Sequence, residues 1–154
     1  MILSFVSPSP ADTAALGEKI GRRLEQAAVF AAYGDLGAGK TLLAAAIARG
    51  LAVEETVTSP TFIYYQRYSG RLPFYHLDGY RLEHLTYEDK IDLGLEECFG
   101  GDAVTFVEWP QYAAEFLPAE RINIRIDRDE TENGRLLTFD FDPDIHPWLC
   151  EVLI

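Results

Sequence analysis

The chain opens with a short apolar stretch, Ile2 to Val6, which predicts a strand. Ser9-Pro10-Ala11-Asp12 comes next as a helix start, with serine as the cap, proline in the first position and an acidic residue in the first turn. Leu16, Ile20 and Leu24 fall four apart and give that helix one apolar stripe. Ala28 to Tyr33 is continuously apolar and short, the pattern of a buried strand. A Gly-rich turn leads into a helix from Lys40 to Arg49, which Gly50 ends. From Thr56 to Asp78 the composition turns β-like, with strands expected over Thr61 to Tyr65 and Leu72 to Asp78 and a turn at Ser69-Gly70. Residues 84–99 predict a helix broken at Gly94, Ala103 to Val107 a buried strand, and Pro110 to Leu117 a short helix. Ile122, Ile124 and Ile126 alternate with polar residues, as do Leu137, Phe139 and Phe141. With Asn133-Gly134 between them, these segments predict a hairpin at one edge of the sheet. The apolar tail, Pro147 to Ile154, suits a last helical turn or two. Strands alternating with helices, closed by a C-terminal antiparallel hairpin, predict an α/β fold of three layers around a mixed central sheet. With no internal repeat, linker or low-complexity tract, residues 1–154 read as one domain.

Composition narrows the class. At 48% hydrophobic residues the chain can bury a substantial core, which excludes disorder. The formal charge of −12, from 13 basic and 25 acidic side chains, repels nucleic-acid backbones. Any phosphate site must be a local exception, and contact with RNA is expected through a partner rather than directly. The same charge also favours solubility. Two distant cysteines, Cys98 and Cys150, make neither a disulfide framework nor a zinc site, and both are expected to be reduced. The N-terminus lacks a signal-peptide pattern and no apolar run is long enough to span a bilayer, so no membrane role and a cytoplasmic location are expected.

Gly34-Asp35-Leu36-Gly37-Ala38-Gly39-Lys40-Thr41 fits G-x-x-x-x-G-K-[ST]. Its glycines let successive backbone N–H groups converge on phosphate oxygens, and the helix behind adds the positive end of its dipole. Lys40 is expected to reach the β- and γ-phosphates, and Thr41 to ligate magnesium through its hydroxyl. The buried strand before the loop and the helix after it supply the context such a loop requires. ATP with Mg²⁺ is therefore the expected ligand.

Such a fold also needs a carboxylate at the end of a neighbouring strand. Glu108 ends Ala103–Val107 and Asp78 ends Phe74–Leu77, and the sequence leaves both open as the metal-side group. Thr61, in Ser59-Pro60-Thr61, is either a switch residue closing over the γ-phosphate or an ordinary turn residue. His76 and Asp78 would share one face of a strand, as a metal pair or as a histidine held by a carboxylate. The string Asp89-Lys90-Ile91-Asp92 is a poor match to the guanine signature N-K-x-D, so ATP is preferred over GTP. An Arg-rich lid and an acceptor-binding insertion, usual in small-molecule kinases of this fold, are not visible.

Together, Gly34–Thr41, Ser-Pro-Thr-Phe at 59–62, His-x-Asp-x-Tyr-Arg-Leu at 76–82 and Val-Glu-Trp-Pro at 107–110 resemble the TsaE (YjeE) family of small bacterial ATPases. The resemblance spans about residues 9–141, in the family's order and spacing, while the tail from Asp142 to Cys150 matches no part of it. It implies an ATPase required for the threonylcarbamoyladenosine modification of tRNA, weak alone and acting on a complex of TsaD and TsaB. It further implies phosphate and metal roles for Gly37, Gly39, Lys40 and Thr41, and a metal-side role for Glu108. Thr61 becomes a switch-like residue, Asp78 a catalytic or metal-side carboxylate, Tyr80 and Arg81 parts of the same wall, and Arg135 a nucleotide-side arginine. A small-molecule phosphotransferase and a non-hydrolysing nucleotide sensor are the alternatives, separated by ATP turnover of the pure protein.

Overall fold

The computed structural model of the protein describes residues 1–60 and 62–154. Seven strands, β1 (Ile2–Ser7), β2 (Ala28–Tyr33), β3 (Tyr65–Tyr68), β4 (Phe74–Asp78), β5 (Val104–Glu108), β6 (Ile122–Arg128) and β7 (Arg135–Asp140), form one sheet. Their order is β1-β7-β6-β2-β5-β4-β3. β6, β2, β5 and β4 run parallel, whereas β3 pairs antiparallel with β4, β7 with β6, and β1 with β7. The expected mixed α/β sheet is therefore present.

Period-two alternation assigns each strand's side chains to one of two cores. Phe30, Phe74, Phe106, Ile124 and Phe139 face a core shared with α1 (Pro10–Arg23), α2 (Lys40–Gly50) and α4 (Pro147–Leu153). In α1, Ser9 caps the first turn, its side chain accepting from the Asp12 N–H. The stripe Leu16, Ile20 and Leu24 is fully buried there, contributing about 1.5–3 kcal/mol per side chain. Helices α1 and α2 cross so closely that a Cβ on Gly21 would lie 2.2 Å from the Ile47 carbonyl oxygen. Leu77, Val107, Leu95, Cys98 and Ala113 form the opposite core. Short elements cover it: α3 (Tyr87–Asp92) and 3-10 turns at Gly79–Leu82, Leu95–Phe99 and Pro110–Phe116. On that side the β1 end of the sheet stays open, with Ile2, Val6 and Arg125 exposed.

Several expectations shift. The first strand after α2 is Tyr65–Tyr68, not residues 61–65, and Phe62 to Tyr64 form bends. The helix expected over 84–99 is the six-residue α3, opened by a Thr86–Asp89 capping box, then a 3-10 turn after Gly94 at φ 77. The short helix after Pro110 is 3-10 and kinked at Ala113. The hairpin lies one strand in from the edge because β1 pairs outside β7, Phe5 opposite Leu137. An N-terminal strand joining a C-terminal hairpin leaves no local signal. The tail does form a helix, α4.

Candidate functional site

Parallel pairing brings the C-terminal ends of β2, β5 and β4 to one edge of the sheet, where Ala32 registers with Glu108 and Glu108 with Asp78. Clefts in open α/β sheets form at such strand ends. The Gly34–Thr41 loop leaves β2 at this edge and enters α2. Gly37 (φ 77) and Gly39 (φ 114) take conformations that a side chain would resist, and a Cβ on Gly39 would meet nothing within 4 Å. The space beside Gly39 is thus open. A cleft of about 310 Å³ lies against it, walled by Leu36, Lys40, Thr41, Ser59, Asp78 and Glu108.

Lys40 is buried, and its ammonium donates to the carbonyl oxygens of Gly34 (2.5 Å) and Asp35 (3.0 Å), holding the loop closed on itself. It also sits 4.2 Å from the centre of the Trp109 ring, a cation–π contact. Burial lowers its pKa, while the charges of Glu108, Asp78 and Asp35 oppose that shift. Trp109 reaches this position from a left-handed backbone (φ 51) just after β5, and Tyr80 packs on it with ring centres 5.3 Å apart.

The two strand-end carboxylates are held differently. Glu108 is buried and accepts the Thr41 hydroxyl on both oxygens, at 2.9 and 3.0 Å. His76, fully buried on β4, lies 2.6 Å from the second oxygen of Glu108 through Nε2. A carboxylate accepts, so Nε2 carries the proton, and Nδ1 has no partner among the described residues. Of the two readings of His76, a histidine held by a carboxylate is the one found, with Glu108 rather than Asp78 as the carboxylate. Asp78 is half-buried, accepting from Ser59 Oγ (3.2 Å) and from the Tyr80 N–H (3.1 Å).

Arg135 stands behind the loop, its Nε donating to the Ala38 carbonyl at 2.9 Å, so it braces the loop backbone. Arg81 is exposed on the turn after β4. Thr61 lies outside the described residues. Ser59 and the ring contact of Trp109 with Lys40 were not assigned these roles from the sequence. Both residues stood within the motifs, but a hydroxyl and an indole carry no spacing signature of their own.

The model of the threonylcarbamoyl adenosine biosynthesis protein TsaE matches residues 7–137. The chain belongs to the TsaE family. The TsaE named as a tRNA threonylcarbamoyladenosine biosynthesis protein in Treponema pallidum is 43% identical over 121 residues, 79% of this chain and 88% of that one. Its namesake in Bacillus subtilis is 38% identical over 152 residues, covering 98% and 93%. The crystal structure of Bacillus subtilis YdiB superposes with a TM-score of 0.76 at 31% identity, covering 99% of this chain and 94% of that one. The P-loop NTPase-like architecture of a TsaE structure is therefore this chain's own. Among its described residues no helix is long and apolar enough to cross a membrane.

Proposed function

We propose that this chain is the ATP-hydrolysing component of tRNA N6-threonylcarbamoyladenosine biosynthesis, acting on the TsaD–TsaB complex. The observation that carries the ATP assignment is the placing of Thr41 against Glu108 at the foot of an open glycine loop. A hydroxyl and a carboxylate are the hard oxygen donors that magnesium accepts, alongside phosphate oxygens and waters. Among the described residues no group of three or more His, Cys, Asp or Glu side chains is placed to hold a metal ion. That fits a magnesium carried in with its nucleotide better than a resident metal.

The chain's own residues divide the work. Loop N–H groups and the Lys40 ammonium bind phosphate oxygens. Lys40 exchanges carbonyl partners for phosphates, a stronger charge-assisted pairing. Thr41 and Glu108 would hold the metal, which when bound would neutralise developing charge on the phosphates. Asp78, across the cleft, orients the attacking water or its shell. A net charge of −12 argues against direct tRNA binding, so tRNA is reached through the partner complex.

The deciding experiment measures ATP turnover by the pure chain, then with TsaD and TsaB added singly and together, and tRNA binding by gel shift. Weak turnover alone, strong stimulation by the complex and no shift of tRNA by the chain alone are expected. Full activity in isolation, or salt-sensitive tRNA binding by the chain itself, overturns the partner-driven assignment. Phosphate transferred to a small acceptor in place of water would favour a phosphotransferase.

A further inference from the structure

Between the first strand and the tail, the exposed large apolar side chains among the described residues are Leu36, Phe62, Ile63, Tyr80 and Tyr87. Phe62 is 93% exposed and Ile63 50%. With Tyr64, Tyr65 and Leu93 they wall a shallow hollow of about 470 Å³. Tyr64 and Leu93 also wall a second hollow, shared with Leu85, Asp89 and Asp92. A contiguous apolar surface of this kind in a water-exposed position marks an interaction site.

The charged side chains that wall these hollows, Asp89 and Asp92, are both acidic. Residues 83–97 contain Glu83, Glu88, Asp89, Asp92, Glu96 and Glu97. Lys90, on the same segment, is buried and bonded to Glu115 Oε1 (2.6 Å) and the Tyr112 carbonyl (2.8 Å). Asp89, Asp92 and Glu97 are exposed and make no ion pair among the described residues. An apolar floor with an acidic rim is complementary to an apolar side chain flanked by lysine or arginine, and it repels a nucleic-acid backbone.

The hollow is also wired to the cleft. The Tyr64 carbonyl accepts the Asp78 N–H at 3.1 Å, and the Ser59 hydroxyl bonds the Asp78 carboxylate at 3.2 Å. Phe62 and Ile63 lie on the stretch between these two anchors. A ligand seated on them bears on one hydrogen bond of the Asp78 carboxylate and one of its backbone N–H.

We propose that this hollow is the docking site of the protein that stimulates hydrolysis, that it takes an apolar, basic-flanked segment, and that docking acts on the cleft through Asp78. The proposal rests on the partner-driven ATPase described above. Phe62→Ser and Asp92→Lys test it, since both side chains are exposed and neither lines the cleft. With the TsaD–TsaB complex as probe, basal turnover and nucleotide affinity should match the wild type in both variants. The complex concentration giving half-maximal stimulation should rise about tenfold or more in Phe62→Ser, as for loss of a buried aromatic anchor. In Asp92→Lys it should rise about threefold at low salt, with the difference fading at high salt. Wild-type half-maximal concentrations in both variants overturn the hollow while leaving the partner-driven ATPase intact. Absence of stimulation in the wild type overturns both. Self-association of the chain that Phe62→Ser abolishes would overturn the proposal by giving the hollow to a second copy.

Discussion

The ends of β5 and β4 each carry a carboxylate on the same face of the sheet, in direct register, yet they are built to opposite purposes. Glu108 is buried and tied to side chains of rigid elements: Thr41 in the first turn of α2 and His76 within β4. Asp78 is half-buried and tied to the Tyr80 N–H in the turn after its strand and to the Ser59 hydroxyl in the loop that reaches over it. A group locked between a helix and a strand keeps one geometry. A group bonded to loop and turn shifts with either of them. The difference gives Glu108 a fixed position and Asp78 an adjustable one, as the proposed metal-side and partner-sensitive roles require.

The largest expected effect removes the common ground of both carboxylates. Lys40→Ala should weaken ATP binding by about a hundredfold or more, as loss of charge-assisted contacts of about 1.5–3 kcal/mol each implies. Calorimetric titration beside a melting curve measures it, and unchanged affinity in a folded variant would refute the phosphate role of the loop. Glu108→Gln should next lower single-turnover hydrolysis at saturating ATP by about a hundredfold, with a smaller loss in affinity. Asp78→Asn should also lose hydrolysis more than binding, and should additionally lose much of its response to the TsaD–TsaB complex. Equal responsiveness of the two variants to that complex would erase the distinction between the strand ends.

Smaller changes sharpen it. His76→Gln keeps an N–H donor for Glu108 and should lower turnover only a few-fold, about 2–5, whereas His76→Leu should cost more at similar nucleotide affinity. Ser59→Ala should alter basal turnover less than either and alter stimulation more. The smallest effect concerns the layer beneath both strand ends, where Cys98 packs with Leu77 and Val107. Burial, aided by Glu97, pushes its thiol from 9.0 up to about 12. In titration with a thiol reagent near pH 8, Cys150 should react and Cys98 should wait for unfolding. The folded pKa is raised, so this site's contribution to stability is complete below about pH 9 and is lost as pH rises towards 12. The melting-temperature advantage of the wild type over Cys98→Ala should therefore shrink in that window. Equal reactivity of the two thiols would mean that the layer under β4 and β5 is open.

Legibility tracked the range of the signal. The β2–loop–α2 unit could be read because its strand, turn and helix are consecutive and each has a local cause: an apolar run, glycines at positive φ, and an alanine- and leucine-rich helix, although that helix runs through Gly50 and the left-handed turn after it falls at Ala52 (φ 62). The start of α1 was equally plain in Ser9, Pro10 and Asp12. Residues 62–68 and 84–99 were misplaced in detail because aromatic-rich segments with short elements carry weak periodicity, and their conformation is set by the surface they cover.

The sequence alone determined that a glycine loop joins a buried strand to a helix, that acidic residues end two later strands, and that the chain carries a formal charge of −12. Those properties are written in neighbouring residues or in the sum of charges. Only the tertiary structure decided which carboxylate meets Thr41, that His76 serves Glu108 rather than its own neighbour Asp78, and that Arg135 braces the loop at the Ala38 carbonyl. Each of these contacts joins residues on separate elements, from 32 to 97 positions apart. They are fixed by strand order and register, which arise from packing two cores across one sheet, and no stretch of local sequence encodes that.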